Sequence, residues 1–253
     1  MDLMRKLWIA PHKTGSEMAK MLADYCGVLQ IKRQNSEFVG KKGQYILNWG
    51  CGTENYTAYT GKAALLNPPE LVDLSINKIG YFEQMAGPKG PRVPHWTRSS
   101  AVAKHWLEDG ETVIARTIVD GCQGVGIGVM KKPLDFIYAP LYTIKVDNVA
   151  EYRVYMFGDE IIDYRKKVGK FTNGMCIGRD VEFEIIDYLP EDVAVQAKKA
   201  ANRLKLLIQG LDVIWDGKQA WVLETNTAPW LGTRIASRYA KKLHQYIEER
   251  EAA

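Results

Sequence analysis

The sequence predicts an α+β fold, and three observations carry that prediction. Strand, helix and strand patterns alternate over about the first 65 residues. A β pattern punctuated by glycine turns dominates residues 112–166. A helix, a hairpin and a last amphipathic helix then close the chain. Lys6 to Ala10 is a short apolar run. Thr14-Gly15-Ser16-Glu17 supplies a helix start ahead of Met18, Met21, Leu22 and Tyr25 at helical spacing, and Gly27 stops that helix. Val28 to Lys32 and Tyr45 to Asn48 read as strands, so residues 1–66 are expected to form a small N-terminal α/β lobe.

Residues 67–253 are expected to form the larger domain, with a central lobe over about 67–138 and a C-terminal lobe over about 139–253. Pro68-Pro69 opens a mainly helical stretch carrying Leu71, Leu74, Ile79 and Phe82, and Gly87-Pro88-Lys89-Gly90-Pro91 breaks it. A polar helix follows around Ser99 to Glu108. Thr112–Val119, Ile127–Lys131, Glu151–Phe157 and Glu160–Lys166 read as strands, the last two joined by the Gly158-Asp159 turn. Pro190 starts a helix with Val193, Ala197, Ala200, Leu204 and Leu207 on one face, and Gly210 stands where its C-terminal cap is expected. Leu211–Trp215 and Ala220–Asn226 make the hairpin, and Ile235 to Glu249 the last, basic helix.

Composition narrows the function. The 253 residues are 46% hydrophobic and 25% charged, the balance of an ordinary globular protein. No apolar run reaches the roughly 18 residues of a membrane span, and no secretory pattern opens the chain, so a cytoplasmic protein is expected (the host-cell cytoplasm, if the source is a phage). The net charge of +4 is interspersed; it suits an anionic ligand such as a nucleotide better than a nucleic acid. Cys26, Cys51, Cys122 and Cys176 lack zinc-site spacing and read as reduced thiols.

Three groups of residues could carry chemistry. Glu224 and Asn226 stand two apart on one strand and so share a face, and Asp212 lies on the preceding strand. Such oxygen ligands suit a hard cation, Mg²⁺ or Mn²⁺. Register decides whether they converge: a two-residue Asp216-Gly217 turn pairs Asp212 with Trp221 and turns it away. A three-residue loop, Trp215-Asp216-Gly217, pairs it with Ala220 and puts all three on one side. A glycine-rich connection, Gly121 to Gly128 with Gly124 and Gly126 at its middle, separates two strands and is open to close approach by phosphate oxygens. Cations are spaced along the β region: Lys78, Arg116, Arg153 and the run Arg165-Lys166-Lys167. Arg116 interrupts an apolar strand and calls for an anionic partner if it faces inward.

In order along the chain, these segments resemble the ATP-grasp superfamily, most of all its ribosomal-protein glutamate ligase branch and short bacteriophage members. The resemblance covers about Asn67 to Gly232. It rests on Asn77-Lys78, Ile114-Ala115-Arg116-Thr117 with Gly124-Val125-Gly126-Ile127, Glu151-Tyr152-Arg153-Val154, Gly210-Leu211-Asp212-Val213, and Leu223-Glu224-Thr225-Asn226-Thr227-Ala228-Pro229. The last is similar to the family's Glu-x-Asn-x-x-Pro signature. The resemblance implies an ATP-grasp fold with ATP and Mg²⁺ (or Mn²⁺). It implies a ligase that activates a carboxylate as an acyl phosphate and joins it to an amine on a small molecule, peptide or protein. A kinase of the same fold, or a nucleotide-dependent binding protein without turnover, is the alternative. Lys78, Arg116, Gly124, Gly126 and Glu151 would then hold nucleotide, with adenine at a hinge near Leu141, Tyr142, Thr143 and Ile144. Arg153, Lys166 and Asn173 would line the phosphate and acyl-phosphate region, and Asp212, Glu224 and Asn226 would bind metal. Arg116 replaces the family's usual lysine, and Trp230 stands after Pro229 where glycine is usual.

Overall fold

The computed structural model describes residues 6–33, 35–55, 61–121, 124–169, 171–172, 175–176 and 181–252. Its first unit is a parallel sheet of order β2-β1-β3-β4, made of β1 (Leu7–Pro11), β2 (Leu29–Gln30), β3 (Tyr45–Trp49) and β4 (Ala64–Leu66). Helix α1 (Glu17–Cys26) packs on it. Ser16 caps the helix by accepting from Ala19 N, and Gly27 ends it in the left-handed region at φ +66°.

Helices α2 (Pro69–Ile76) and α3 (Lys78–Met85) meet at Asn77. Its side chain accepts from Ile79 N and Gly80 N, so one residue closes the first helix and caps the second. A four-stranded antiparallel sheet follows, of order β5-β8-β6-β7: β5 (Trp96–Thr97), β6 (Val113–Arg116), β7 (Ile127–Met130) and β8 (Leu141–Ile144). Helix α4 (Ser100–Glu108) covers one face of it through Ala103 and Leu107.

The largest sheet is antiparallel, of order β13-β10-β9-β14-β15. It comprises β9 (Ala150–Phe157), β10 (Glu160–Val168), β13 (Glu182–Glu184), β14 (Ile208–Trp215) and β15 (Ala220–Asn226); β11 (Phe171–Thr172) and β12 (Met175–Cys176) pair with each other alone. Val154 and Met156 of β9, Leu211 and Val213 of β14 and Val222 of β15 point to one face. There they are buried against Val193, Ala197, Ala200 and Leu204 of α5 (Glu191–Leu204) and Tyr81 and Phe82 of α3. The opposite face is apolar only at one end. There Tyr155, Ile162 and Ile208 join α1 and the last helix, α6 (Thr233–Ala252), in one core with β1 and β3. The N-terminal sheet is thus sealed by the C-terminal helix. Among the described residues no helix is long and apolar enough to cross a membrane.

Two expectations about local structure change. Gly210 does not cap α5: the helix ends at Leu204 with Lys205 in the left-handed region at φ +57°, and Gly210 lies inside β14. Its lack of a side chain answers a close approach, because a Cβ there would stand 2.8 Å from Pro229 Cβ and 3.1 Å from Arg153 Cδ. The hairpin uses neither of the two expected loops. Trp215 pairs with Ala220, so the connection is Asp216 to Gln219, and the Asp216 carboxylate accepts from Lys218 N and Gln219 N at 2.8 Å each.

Candidate active site

That hairpin would set Asp212 opposite Leu223 were the ladder regular. A β-bulge between Asp212 and Val213 shifts it by one residue, and Asp212 pairs directly with Glu224. The extra residue decides the site. It places Asp212 and Glu224 on one face, and Asn226, pairing with Gly210, follows two positions on. The neighbouring strand sets Arg153 opposite Asp212 and Glu151 opposite Ile214 on the same face, and β10 brings Arg165 opposite Arg153 and Lys167 opposite Glu151.

The face carries a charged network. Arg153 grips Asp212 with both arms of its guanidinium, Nε on Oδ1 and Nη2 on Oδ2 at 2.9 Å. Lys167 Nζ bridges Asp212 Oδ2 at 2.5 Å and Glu151 Oε1. Lys78, the first residue of α3, reaches Glu224 at 2.9 Å, while its own N–H donates to Val119 O at 2.8 Å. Asn226 Nδ2 donates to Gly210 O at 3.3 Å. Lys78, Glu151, Arg153, Lys167 and Asp212 are all buried.

The electrostatics follow from that packing. Lys78 beside Glu224, with Lys167 and Arg153 behind it, holds the Glu224 carboxyl far below the usual carboxylate range. Burial opposes charge on Arg153 and on Lys167. The Asp212 carboxylate outweighs it at both, joined at Lys167 by Glu151, so both cations are held more firmly. Glu151 behaves oppositely: burial raises it, and Asp212 adds to the effect against the attraction of Lys167. At the end of β6 in the other sheet, Arg116 is eased downward by burial and supported by Glu224, and its buried Nε makes no hydrogen bond.

Lys166 does not join the network. Strand alternation turns its side chain to the other face of β10, and Lys167 enters instead. Asn173 lies outside the described residues. The hinge expected at Leu141, Tyr142, Thr143 and Ile144 coincides with β8, whose main chain is flanked by β6 along its length and by β5 at Tyr142 and Thr143. A strand paired on both sides has no free edge for a base. The polypeptide between the two sheets is residues 145–149, anchored by Lys145 N on Thr112 O and Val149 N on Trp215 O. Gly124 and Gly126 both have positive φ, +80° and +77°. The Gly126 carbonyl accepts from Thr117 N at 2.8 Å, and a Cβ at Gly126 would meet Ile118 Cβ at 2.7 Å.

Lys167 is one of the run Arg165-Lys166-Lys167 that the sequence offered without fixing which member faces inward; two further contributors were not among the expected site residues. The C-terminal ends of β1 and β3 open toward the hairpin: at Gly50, φ +82°, a Cβ would stand 2.8 Å from Ala228 Cβ and 3.5 Å from His12 Cβ. Parallel sheets place ligands at such ends. The second is an aromatic wall, in which Trp230 stacks on Phe183 at 5.4 Å and 9° and the Arg153 guanidinium lies over Phe183 at 5.4 Å.

No family model matches the chain. The tetrahydromethanopterin:alpha-L-glutamate ligase of Methanocaldococcus jannaschii is 26% identical, with 73% of this chain and 71% of that protein covered. Among solved structures, ATP-grasp ligase PsnB, complexed with a minimal precursor, Mg and ADP, superposes with a TM-score of 0.72 at 13% identity, covering 98% of both chains. A RimK domain ATP-grasp protein from Sphaerobacter thermophilus superposes at 0.66 and 10% identity, over 93% of this chain and 98% of its own. The chain has the ATP-grasp fold. Its sequence relative is a glutamate ligase, and one of these neighbours is a RimK domain protein.

Proposed function

We propose that this protein is an ADP-forming ligase that uses ATP and Mg²⁺ to join a carboxylate to an amine through an acyl phosphate. The observation that carries the reading is the bulged pairing of Asp212 with Glu224, with Asn226 two residues on, inside a ring of four cations: Lys78, Arg116, Arg153 and Lys167. Two carboxylates and an amide oxygen on one sheet face form a hard-oxygen donor set, which fits Mg²⁺. Four cations facing Glu151, Asp212 and Glu224 leave the site one positive charge in excess, matched to an incoming polyanion that brings its own metal. When bound, Mg²⁺ supplies charge neutralisation and alignment of the phosphates.

The chain's own residues do the rest by placement. Arg153 and Lys167 orient the Asp212 carboxylate, and Lys78 holds Glu224 ionised. Arg116, whose Nε lacks a partner, is free to take a phosphate oxygen. The glycine turn offers main-chain amides near the end of β6. No protein nucleophile is needed, because positioning and charge stabilisation suffice for phosphoryl transfer. The domain division at residue 66 belongs to this reading as well, with nucleotide lying between the two antiparallel sheets around residues 145–149.

The test is ADP and phosphate release on a panel of carboxylic acids and amines, free and on peptides, with and without Mg²⁺. A ligase releases both products only when acid and amine are present together. ADP without phosphate would mean a kinase. ATP affinity that is the same with and without Mg²⁺, read by calorimetry, would remove the metal site.

A further inference from the structure

Joining an amine to an acyl phosphate needs a proton acceptor, because an amine arrives as an ammonium and only its neutral form can attack. The carboxylates of the charged face are already committed to cations: Asp212 to Arg153 and Lys167, Glu151 to Lys167, and Glu224 to Lys78. Three of the four histidines lie elsewhere. His105 stands beside Glu108 and Asp109 on α4, His244 Nε2 meets Cys26 O at 3.2 Å, and His95 lies against Trp221 at the turn end of the hairpin.

His12 is placed differently. It follows β1, and its main-chain N–H donates to Trp49 O at 3.0 Å, so the ends of β1 and β3 carry it as one unit. His12 and Ala228 both close on Gly50: a Cβ there would stand 3.7 Å from His12 Cγ and 2.8 Å from Ala228 Cβ. Pro229, the next residue, closes in turn on Gly210, which pairs with Asn226 and is also approached by Arg153. The short segment Thr227-Ala228-Pro229 therefore bridges the charged face and the His12 ring.

That ring is part-buried. Its Nδ1 is sealed from solvent without a hydrogen-bond partner, whereas Nε2 is neither bonded nor sealed among the described residues. Burial lowers its proton affinity, Lys13 and Arg33 lower it further, and the Trp49 carbonyl opposes them. Cys51 on the adjoining loop gives its thiol to Pro11 O at 3.3 Å, and Asp73 of α2 is engaged by Thr53 N at 2.9 Å. Among the described residues no carboxylate acts on the ring to offset the two cations. An imidazole kept neutral at neutral pH, with one nitrogen open, has the form that a base requires.

We propose that His12 is the general base of the ligation and takes a proton from the acceptor ammonium at Nε2. The inference rests on the ligase reading for the reaction it serves. Loss of that proton leaves a neutral amine, whose nitrogen forms the bond to the acyl carbon. The carbon–oxygen bond to the phosphoryl group breaks, and its electron pair leaves on phosphate. The surplus proton on nitrogen passes to the departing phosphate, and the imidazolium returns its own proton to water.

The experiment uses the full chain with Mg-ATP and the acid that supports ADP release in the panel, and compares its amine partner with hydroxylamine. Hydroxylamine is a weak base already neutral at neutral pH, so its capture of the acyl phosphate as a hydroxamate needs no proton acceptor. His12→Asn should lower turnover with the amine by about 10²-fold or more and leave hydroxamate formation within about threefold of the wild type. Wild-type turnover with the amine should fall as pH drops through the His12 value, below 6.5. In His12→Asn the rate should instead keep rising toward the amine's own value, about 10. Equal losses with both acceptors, or an unchanged acid limb, would overturn the assignment. Nitrogen NMR of the unmutated chain with Mg-ADP holds even if the variant fails to fold. A ring protonated on Nδ1 alone at neutral pH supports the base, and an imidazolium or a proton on Nε2 overturns it. A wild type that makes no hydroxamate would defeat the ligase reading and the role of His12 with it, whereas hydroxamate with no difference between acceptors defeats the role alone.

Discussion

Lys167 is the residue on which the network most depends, because it separates two buried carboxylates. Without it Glu151 and Asp212 face each other with one cation fewer. Burial and Asp212 already raise Glu151, and losing the opposing attraction raises it further. A carboxyl raised in the folded state stabilises fully below its unfolded value of about 4.3 and loses that contribution as pH rises through the folded value. Lys167→Met should therefore cost about 3 kcal/mol at pH 7 and recover toward the wild type as pH approaches about 5. Lys166→Met, on the other face, should stay within about 0.5 kcal/mol. Denaturant unfolding at both pH values checks this, and a pH-independent deficit would show that Glu151 is not the group released. Glu224 has the opposite sign. Lys78 holds it low, so its contribution is present above about 4.3 and is lost as pH falls toward the folded value. Glu224→Gln should flatten the acid limb of the stability curve and leave the chain about 1 kcal/mol weaker at neutral pH, since buried Lys78 keeps only a neutral acceptor. Turnover should fall about 10²-fold or more. Full turnover in a folded Glu224→Gln protein would remove the metal site.

Among elements, the β14–β15 hairpin does the most. A loop of four residues and one bulge convert a Leu223 register into a Glu224 register, and Gly210 lets Pro229 and Arg153 close on the strand. Gly210→Ala should cost about 1–3 kcal/mol by overpacking and also reduce ATP affinity, because the clash displaces the arginine that orients Asp212. Unchanged affinity alongside a lowered Tm would confine the effect to packing. The glycine turn is the other element with a consequence. Gly126 has positive φ and a Cβ there would strike Ile118, so Gly126→Ala should distort the turn and lower the Tm. Hydrogen exchange at Gly124 to Gly128 should slow when Mg-ATP is added to the wild type. Equal protection with and without nucleotide would leave that turn outside the binding site.

For the whole molecule, α6 is the long-range tie. Ile235, Tyr239, Leu243 and Ile247 pack into one core with Leu7, Ile9 and Leu47 of the N-terminal sheet and with Tyr155 and Ile208 of the largest sheet. Tyr239 also donates to Gln209 O at 3.1 Å, from within that core. Leu243→Ala should cost about 2–5 kcal/mol by opening a cavity there. Because the core is shared, tryptophan fluorescence and far-UV circular dichroism should then shift together in one transition. Separate transitions would mean that the N-terminal sheet holds together without α6.

Periodicity and turn residues in the sequence were enough to determine most elements. The helix starts at Glu17 and Glu191, the strands around Val154 and Val213, and the basic last helix follow from local rules that act over a few residues. The spacing of Glu224 and Asn226 was legible for the same reason, since two positions on a strand share a face. Tertiary structure alone decided the register. The bulge that opposes Asp212 to Glu224, the choice of Lys167 over Lys166, and the position of Gly210 inside a strand depend on which residues face each other across strands far apart in sequence. A one-residue slip inverts every such assignment without changing local propensity. The pairing of β8 on both sides, which moves the open linker to residues 145–149, and the arginine cluster around Asp163 have the same origin. They join segments that only the packed sheets bring together, as Asp163 and Arg234, 71 positions apart in sequence, show.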